Sequence, residues 1–352
     1  MNILKKIASS GPQAALLAAL LFGAATPLAG MLLKDNSPWM IAALLYLGSG
    51  LGLTIYRRIS GASQILPARS ELLWFAGAIA CGGVLAPVLL MIGLTGMPAS
   101  SASLLLNAEG VFTALLAWFA FKENVDKRIM TGMLAIVVGA VILSWPAQTG
   151  PMTLWPMLAV LGACLAWGLD NNLTRKVSLN DATWIASVKG LVAGGTNLAL
   201  ALLAGANFPE MPVIGATLLV GFLAYGVSLA LFVAALRHLG TARAGAYFSV
   251  APFFGAGLAL LTGEKLTLQL AVAGLFMAWG IWLHLSERHA HTHRHEKMEH
   301  DHEHTHDGND EHHLHDHDVP VLPGTTHRHR HQHIGLTHSH AHYPDAHHRH
   351  QH

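Results

Sequence analysis

Charge is what this 352-residue sequence has least of: 12% of its residues are Asp, Glu, Lys or Arg, about half the share of a globular protein. So few charges cannot cover the surface of two or three soluble domains, which excludes a soluble enzyme. The net charge is +1 with His neutral, so no basic excess exists to attract nucleic acid or another acidic polymer. Cysteine is nearly absent. Cys81 and Cys164 are the whole supply, both inside apolar runs. That excludes a disulfide framework and a CxxC metal site and leaves them as packing residues. No P-loop pattern occurs, and the polar breaks are too short for a nucleotide-binding domain, so ATP-driven chemistry by this chain alone is excluded.

What polarity there is has been segregated. Residues 289–352 hold 23 of the 25 His, 10 of the 20 acidic residues and 5 of the 21 basic ones. Residues 1–288 are an apolar body with short polar breaks. Ten runs there approach the ~20 residues a helix needs to cross a bilayer: 14–33, 38–56, 72–94, 99–121, 129–145, 154–174, 182–204, 212–236, 244–262 and 267–286. They are continuously Leu- and Ala-rich, where a barrel strand would alternate, so the expected fold is an all-α membrane protein. Gly48-Ser49-Gly50-Leu51-Gly52, Gly82-Gly83, Gly190 with Gly194, and Gly255 with Gly257 read as surfaces for close helix packing.

Orientation follows from Lys and Arg. Alternate breaks place thirteen on one side (Lys5, Lys6, Arg57, Arg58, Arg69, Lys122, Lys127, Arg128, Arg175, Lys176, Arg237, Arg243 and Arg288) and only Lys34 and Lys265 on the other. The positive-inside rule then puts both termini in the cytoplasm of a multi-pass inner (plasma) membrane protein. Lys5-Lys6 ahead of an apolar run with Ala24-Ala25 has the outline of a signal peptide. The charge alternation fits ten spans rather than nine, so this segment is read as the first span.

The body reads as a duplication. ASSASLLLNAEGVFTALLAWFAFKENVDKRIMTGMLAIVVGAVIL (99–143) and GTARAGAYFSVAPFFGAGLALLTGEKLTLQLAVAGLFMAWGIWL (240–283) share a small-residue start, a long apolar helix, an acidic corner (Glu123, Glu264) and a Gly-containing helix. Phe22-Gly23-Ala24-Ala25-Thr26 lines up loosely with Trp167-Gly168-Leu169-Asp170-Asn171. Five spans per unit, an odd number, invert the second copy relative to the first, a transporter signature. The expected division is a cytoplasmic N-terminus (1–13), two inverted five-helix repeats (14–146 and 147–286) and a cytoplasmic His-rich tail (287–352).

This five-plus-five pattern, with Glu123, Glu264 and Ala251-Pro252 in the ninth run, resembles the drug/metabolite transporter superfamily with two EamA repeats, over roughly residues 12–286. The resemblance implies a membrane exporter and leaves its substrate open among amino acids, nucleotides, drugs and other metabolites. Two departures stand out. Glu109-Gly110-Val111 occupies the place of Val250-Ala251-Pro252, and Glu123 follows Lys122 where Glu264 follows Gly263. With its tail, the chain is also similar to members of that superfamily that accompany nickel and cobalt resistance systems.

An ionisable group inside the bilayer needs a reason. Glu109 lies about eleven residues into the fourth run, roughly 16 Å deep in a ~30 Å hydrocarbon core. It is the candidate for exchanging a proton for a cation, or else is held by a polar neighbour. Asn107 sits about 200° around the helix from it, so Ser101, Ser103, Thr113 or residues of other helices are better placed to join it. Asp170 and Asn171, with Asn172, close the sixth run. Lys189 lies at a similar depth in the seventh, so Asp170 and Lys189 form either a structural ion pair or part of a substrate path. Asn197 is deeper, as interhelical glue or as a ligand. His238 and His284 read as interfacial, and Met91 and Met97 as packing residues at a turn.

The tail carries the densest chemistry. His289, His291, His293 and His295 alternate, as do His300, His302, His304 and His306, then His313, His315 and His317, then His327, His329, His331 and His333. Period two places such residues on one side of an extended chain. Imidazole with nearby Asp301, Glu303, Asp307, Asp316 and Asp318 suits Zn²⁺, Ni²⁺, Co²⁺ and Cu²⁺, and the absence of tail Cys argues against a thiolate site for Cu⁺ or a similarly soft ion. Without metal this composition is expected to be disordered.

The leading expectation is therefore a secondary exporter of divalent transition metals driven by proton exchange, with the tail collecting metal and no prosthetic group. Its partners are the lipid bilayer, metal cations and protons, and a homodimer is left open. The alternatives are an exporter of an organic metabolite or drug with the tail as an independent buffer, and a membrane metal sensor or store that transports nothing.

Overall fold

In a bilayer an apolar run has no water to bond, so a helix is how it satisfies its own N–H and C=O groups. The computed structural model describes residues 11–33, 36–61, 71–121, 127–144, 154–174, 177, 181–232, 235, 247–285, 290–294, 298–305, 326–333 and 337–341. Its helices are α1 (Gly11–Leu33), α2 (Pro38–Ile59), α3 (Leu72–Leu94), α4 (Ala99–Leu105), α5 (Ala108–Phe121) and α6 (Lys127–Ser144). They continue as α7 (Trp155–Thr174), α8 (Ala182–Leu203), α9 (Met211–Phe232), α10 (Ala251–Leu261) and α11 (Leu268–Leu285). Among the described residues six stretches are long and apolar enough to cross a membrane: α1, α2, α3, Ala99–Leu116 in α4 and α5, Thr183–Leu203 in α8, and α9.

Glycine sets the packing of α2. Its Gly50 backbone lies against Gly190 of α8, where an added Cβ on Gly190 would come within 2.6 Å of the Gly50 nitrogen. Gly48 of the same helix meets the Leu218 carbonyl of α9, and Gly221 of α9 meets Leu45 in return. Any side chain at these crossings would push helix backbones apart, so the small residues act here as packing surface. Gly255 of α10 closes similarly on Gly23 of α1 and Ser103 of α4.

The contacts repeat. α3 packs on α7 and α8, while α9, five runs later, packs on α1 and α2. α4 and α5 pack on α7 as α10 packs on α1, and α6 pairs with α11. Replacing each helix by its counterpart reproduces the pairing. Both counterparts α3 and α9 also contain a π-helical turn, Ile79–Leu85 and Phe222–Val227.

The sequence expectation of one unbroken helix over 99–121 is corrected. The structure interrupts it at Leu106 and Asn107. The C-terminal unit spans residues 288–352. It contains strands β1 (Ala290–Arg294), β2 (Met298–Thr305), β3 (Thr326–His333) and β4 (Thr337–Ala341), paired antiparallel as β1 with β4 and β2 with β3. An alternating sequence matches the period of a strand, and pairing satisfies the backbone groups that disorder would leave to water. His289, His295, His306, His313, His315 and His317 lie outside the described residues, as do residues 1–10, Glu123 and His238.

Candidate functional site

The break in the fourth run creates the site. The Asn107 N–H bonds the Leu104 carbonyl at 3.1 Å, the Glu109 N–H bonds the Leu106 carbonyl at 3.0 Å, and the Asn107 side chain also donates to Leu104 at 2.8 Å. These three-residue bonds tighten the chain, and Cys164 of α7 fills the gap with its thiol 3.7 Å from the Leu105 carbonyl. Glu109 is thereby placed in the first turn of α5, where unbonded backbone N–H groups give a helix its partially positive end.

One side-chain hydrogen bond reaches the Glu109 carboxylate among those described. Asn171 Nδ2, on α7, donates to Glu109 Oε1 at 2.9 Å and to Thr113 Oγ1 at 3.2 Å. Asn172 secures the same crossing, donating to the Thr113 carbonyl at 3.2 Å and the Gly168 carbonyl at 2.8 Å. Beside Glu109, Gly110 is exposed, and a Cβ there would meet nothing within 4 Å. Glu109 itself is half-buried, and its donor Asn171 is exposed.

A second polar group occupies another face of α7. Asp170 forms an ion pair with Lys189 of α8 and accepts from Thr174 at 2.9 Å. Its carboxylate fits only because position 82 lacks a side chain: a Cβ on Gly82 would lie 2.6 Å from the Asp170 Cβ and closer still to its carboxylate. Gly82 and Gly83 belong to the π turn of α3, whose altered ladder leaves carbonyls for other donors. Tyr46 Oη of α2 and Trp167 Nε1 of α7 both donate to the Gly82 carbonyl, at 2.6 and 3.0 Å, and Asn197 Nδ2 of α8 donates to Gly83 at 3.1 Å. Asn197 Oδ1, fully buried, is left without a partner.

Aromatic rings extend from this group. Tyr225, in the π turn of α9, has its ring centroid 5.4 Å from Tyr46 and 5.7 Å from Phe22. Tyr46, Tyr225, Asp170 and Lys189 all lie near enough to Glu109 to act on it electrostatically.

Six residues were expected on the pathway, and the structure sorts them. It brings Glu109 and Asn171 into contact, pairs Asp170 with Lys189, and ties Asn197 to the π turn beside that pair. Asn107 is not with Glu109. Its amide folds back on the break and lies 3.8 Å from the Met277 sulfur of α11. Ser103 is buried at the α1–α10 crossing with its Oγ unpartnered. Met91 is core. Sequence reasoning missed Tyr46, Trp167 and Tyr225, and only the Gly82-Gly83 pair hinted at the turn they serve. Glu264 is a cap: its two carboxylate oxygens accept the Ala99 and Ser100 N–H groups at 2.8 and 3.0 Å, binding the α10–α11 corner to the start of α4. Among the described residues no three His, Cys, Asp or Glu side chains converge to hold a metal ion. The tail histidines' side chains are outside that set.

The EamA-like transporter family matches this chain twice, over residues 9–145 and 154–286. An uncharacterized transporter of Methanothermobacter thermautotrophicus is 28% identical over 288 residues, covering 76% of this chain and 83% of its own length. A probable amino-acid metabolite efflux pump of Salmonella typhimurium is 28% identical over 208 residues, 54% of this chain and 68% of its own. A protein of known crystal structure shares the fold at TM-score 0.58 and 17% identity, over 78% of this chain and 96% of that one.

Proposed function

The chain belongs to the EamA-like transporter family and is a multi-pass membrane transporter of the efflux-pump kind; from that premise we propose that it exports divalent transition-metal cations, Ni or Co and also Zn, in exchange for protons. The carrying observation is a carboxylate that forms no salt bridge among the described residues. Asp170 is bonded to Lys189, whereas the half-buried Glu109 is bonded to the neutral amide of an exposed Asn171. A carboxylate at bilayer depth requires a countercharge, and a proton or a metal cation fills that need in turn. Asn171 and Thr113 add a neutral carbonyl and hydroxyl oxygen beside it, hard donors that suit a cation carried with part of its water.

In this scheme the ten spans form two inverted repeats with both termini cytoplasmic. Cation enters from the tail side, displaces the Glu109 proton, and leaves on the other side when the repeats rock about α5 and α7. The Asp170–Lys189 pair, internally neutral, stays as a fixed strut. The tail binds metal at its alternating histidines and raises the local concentration at the entrance. Acidification of the cytoplasm unloads it, since imidazole at a pKa near 6.5 then binds protons instead.

A second reading, export of an organic metabolite with the tail as a buffer, draws on the amino-acid metabolite efflux pumps among the relatives and on the Tyr46 and Tyr225 rings near Glu109. Cells expressing the intact chain, the chain truncated after Arg288, or Glu109→Gln separate the two when metal efflux is followed by elemental analysis. Metal export that survives truncation at a lower rate and stops with Glu109→Gln supports the first reading. No metal efflux from the intact chain supports the second.

A further inference from the structure

The strand register of the C-terminal unit divides its residues by chemistry. β2 and β3 pair so that His300 stands opposite His331, His302 opposite His329 and His304 opposite His327. The intervening rungs pair Glu299 with Gln332, Asp301 with Arg330 and Glu303 with Arg328. Because alternate residues of a strand belong to opposite faces, one face of this ribbon carries six histidines in three cross-strand rungs. The other carries acidic residues in register with an amide and two arginines. β1 and β4 repeat the histidine half of the pattern, His291 opposite His340 and His293 opposite His338. A slip of one residue would set His against Arg or Gln and acid against His, so both faces select the same register.

We propose that β2 and β3 form a metal-stapled ribbon in which cross-strand histidine rungs, His300–His331, His302–His329 and His304–His327, are the high-occupancy sites for a borderline divalent cation such as Ni²⁺ or Zn²⁺. Directly opposed residues of an antiparallel pair have Cβ atoms about 4.5–5.5 Å apart, within the reach of two imidazoles to one ion. The next rung along the same face is two residues away, about 6.8 Å, so the register sets four histidine positions side by side. The cation also answers a stability problem. Two polar strands joined through the long segment 306–325 have almost no apolar face to bury, and an isolated two-stranded ribbon is marginal in water. Binding free energy then supplies the folding free energy, as in other small metal-dependent folds. The inference rests on the tail-loading part of the proposed function but concerns binding alone, so it stands or falls apart from transport.

The test uses full-length protein in lipid nanodiscs, titrated with Ni²⁺ alone by equilibrium dialysis, while hydrogen exchange reports on 298–305 and 326–333. His302→Gln and His329→Gln should each weaken the tightest binding by at least the roughly tenfold that even an outer-shell change costs a metal site. The double variant should be little worse than either single one. His315→Gln, outside the paired strands, should change it little. Asp301→Arg alone should weaken binding, and adding Arg330→Asp should restore it, because the pairing of charges and not the acid itself is required. Protection of both strands should rise with Ni²⁺ together. Additive losses at 302 and 329, losses at 315 equal to those at 302, or no rescue by the charge swap would overturn the ribbon and leave unordered histidines as the ligands.

Discussion

Asp170 and Glu109 are both carboxylates held by α7, yet one is matched by a cation and the other by an amide. Asp170 is closed on all described sides by Lys189, Thr174 and the bare backbone of Gly82. Glu109 is half-buried and meets the exposed amide of Asn171. A buried charge that is already neutralised holds helices in place; one that is not must acquire a partner, and a transporter is able to use that need. The contrast is the ground on which structure is proposed for one carboxylate and transport for the other.

The largest effect expected from breaking this contrast is on the paired side. Lys189→Met leaves Asp170 buried without a countercharge and should destabilise the protein by about 3–5 kcal/mol, read as a fall in the unfolding midpoint in detergent. Adding Asp170→Asn should recover much of that loss. Gly82→Ala comes next. Its methyl group would overlap the Asp170 carboxylate, and overpacking of this kind costs about 1–3 kcal/mol.

On the unpaired side stability should hardly move. Glu109→Gln keeps a carbonyl oxygen to accept from Asn171, so a change below about 1 kcal/mol is expected, with metal export abolished. Similar destabilisation by Glu109→Gln and Lys189→Met would erase the distinction.

The smallest effect lies at the end of α2. Asp181 caps α8 and pairs with Arg57 at 2.8 Å, and Thr183 shares both partners. Burial pushes the Asp181 carboxyl up, but hydrogen bonds from Arg57, Thr183 and the Trp184 N–H outweigh it and hold the group below its usual range. A depressed carboxylate contributes stability above its unfolded pKa of about 3.9 and loses it as pH falls through the folded value. Asp181→Asn should therefore cost a constant amount, about 1 kcal/mol or less, between pH 5 and 8. That penalty should vanish in acid below the folded value.

How much of this could be read in the sequence depends on how rare each signal is. The helices were legible because apolar runs of membrane length are unmistakable against short polar breaks. Glu109 was legible because charge is scarce there, and Lys189 for the same reason. Asn171 was noticed only as part of a polar cluster, since nothing local shows that a helix far along the chain brings it to Glu109. The break at Leu106 and Asn107 was hidden: neither residue is a helix breaker, and the interruption is held by tertiary contacts to Cys164 and Met277. Asn107 was placed on the pathway for want of that knowledge. Tyr46, Trp167 and Tyr225 were illegible because an aromatic in an apolar run is ordinarily packing, and their role appears only once the π turn of α3 leaves the Gly82 carbonyl to Tyr46 and Trp167 and the Tyr46 ring lies against Tyr225. In the tail, period two was plain, but the register that separates histidines from charge pairs depends on strands more than twenty residues apart.

The most direct test of the account places the purified protein in proteoliposomes with a pH-sensitive dye inside and imposes a Ni²⁺ gradient. Exchange predicts proton movement opposite to Ni²⁺ in the intact chain, its complete loss in Glu109→Gln, and its retention, with weaker apparent affinity, after truncation at Arg288. Nickel-driven proton movement that persists in Glu109→Gln would contradict the account.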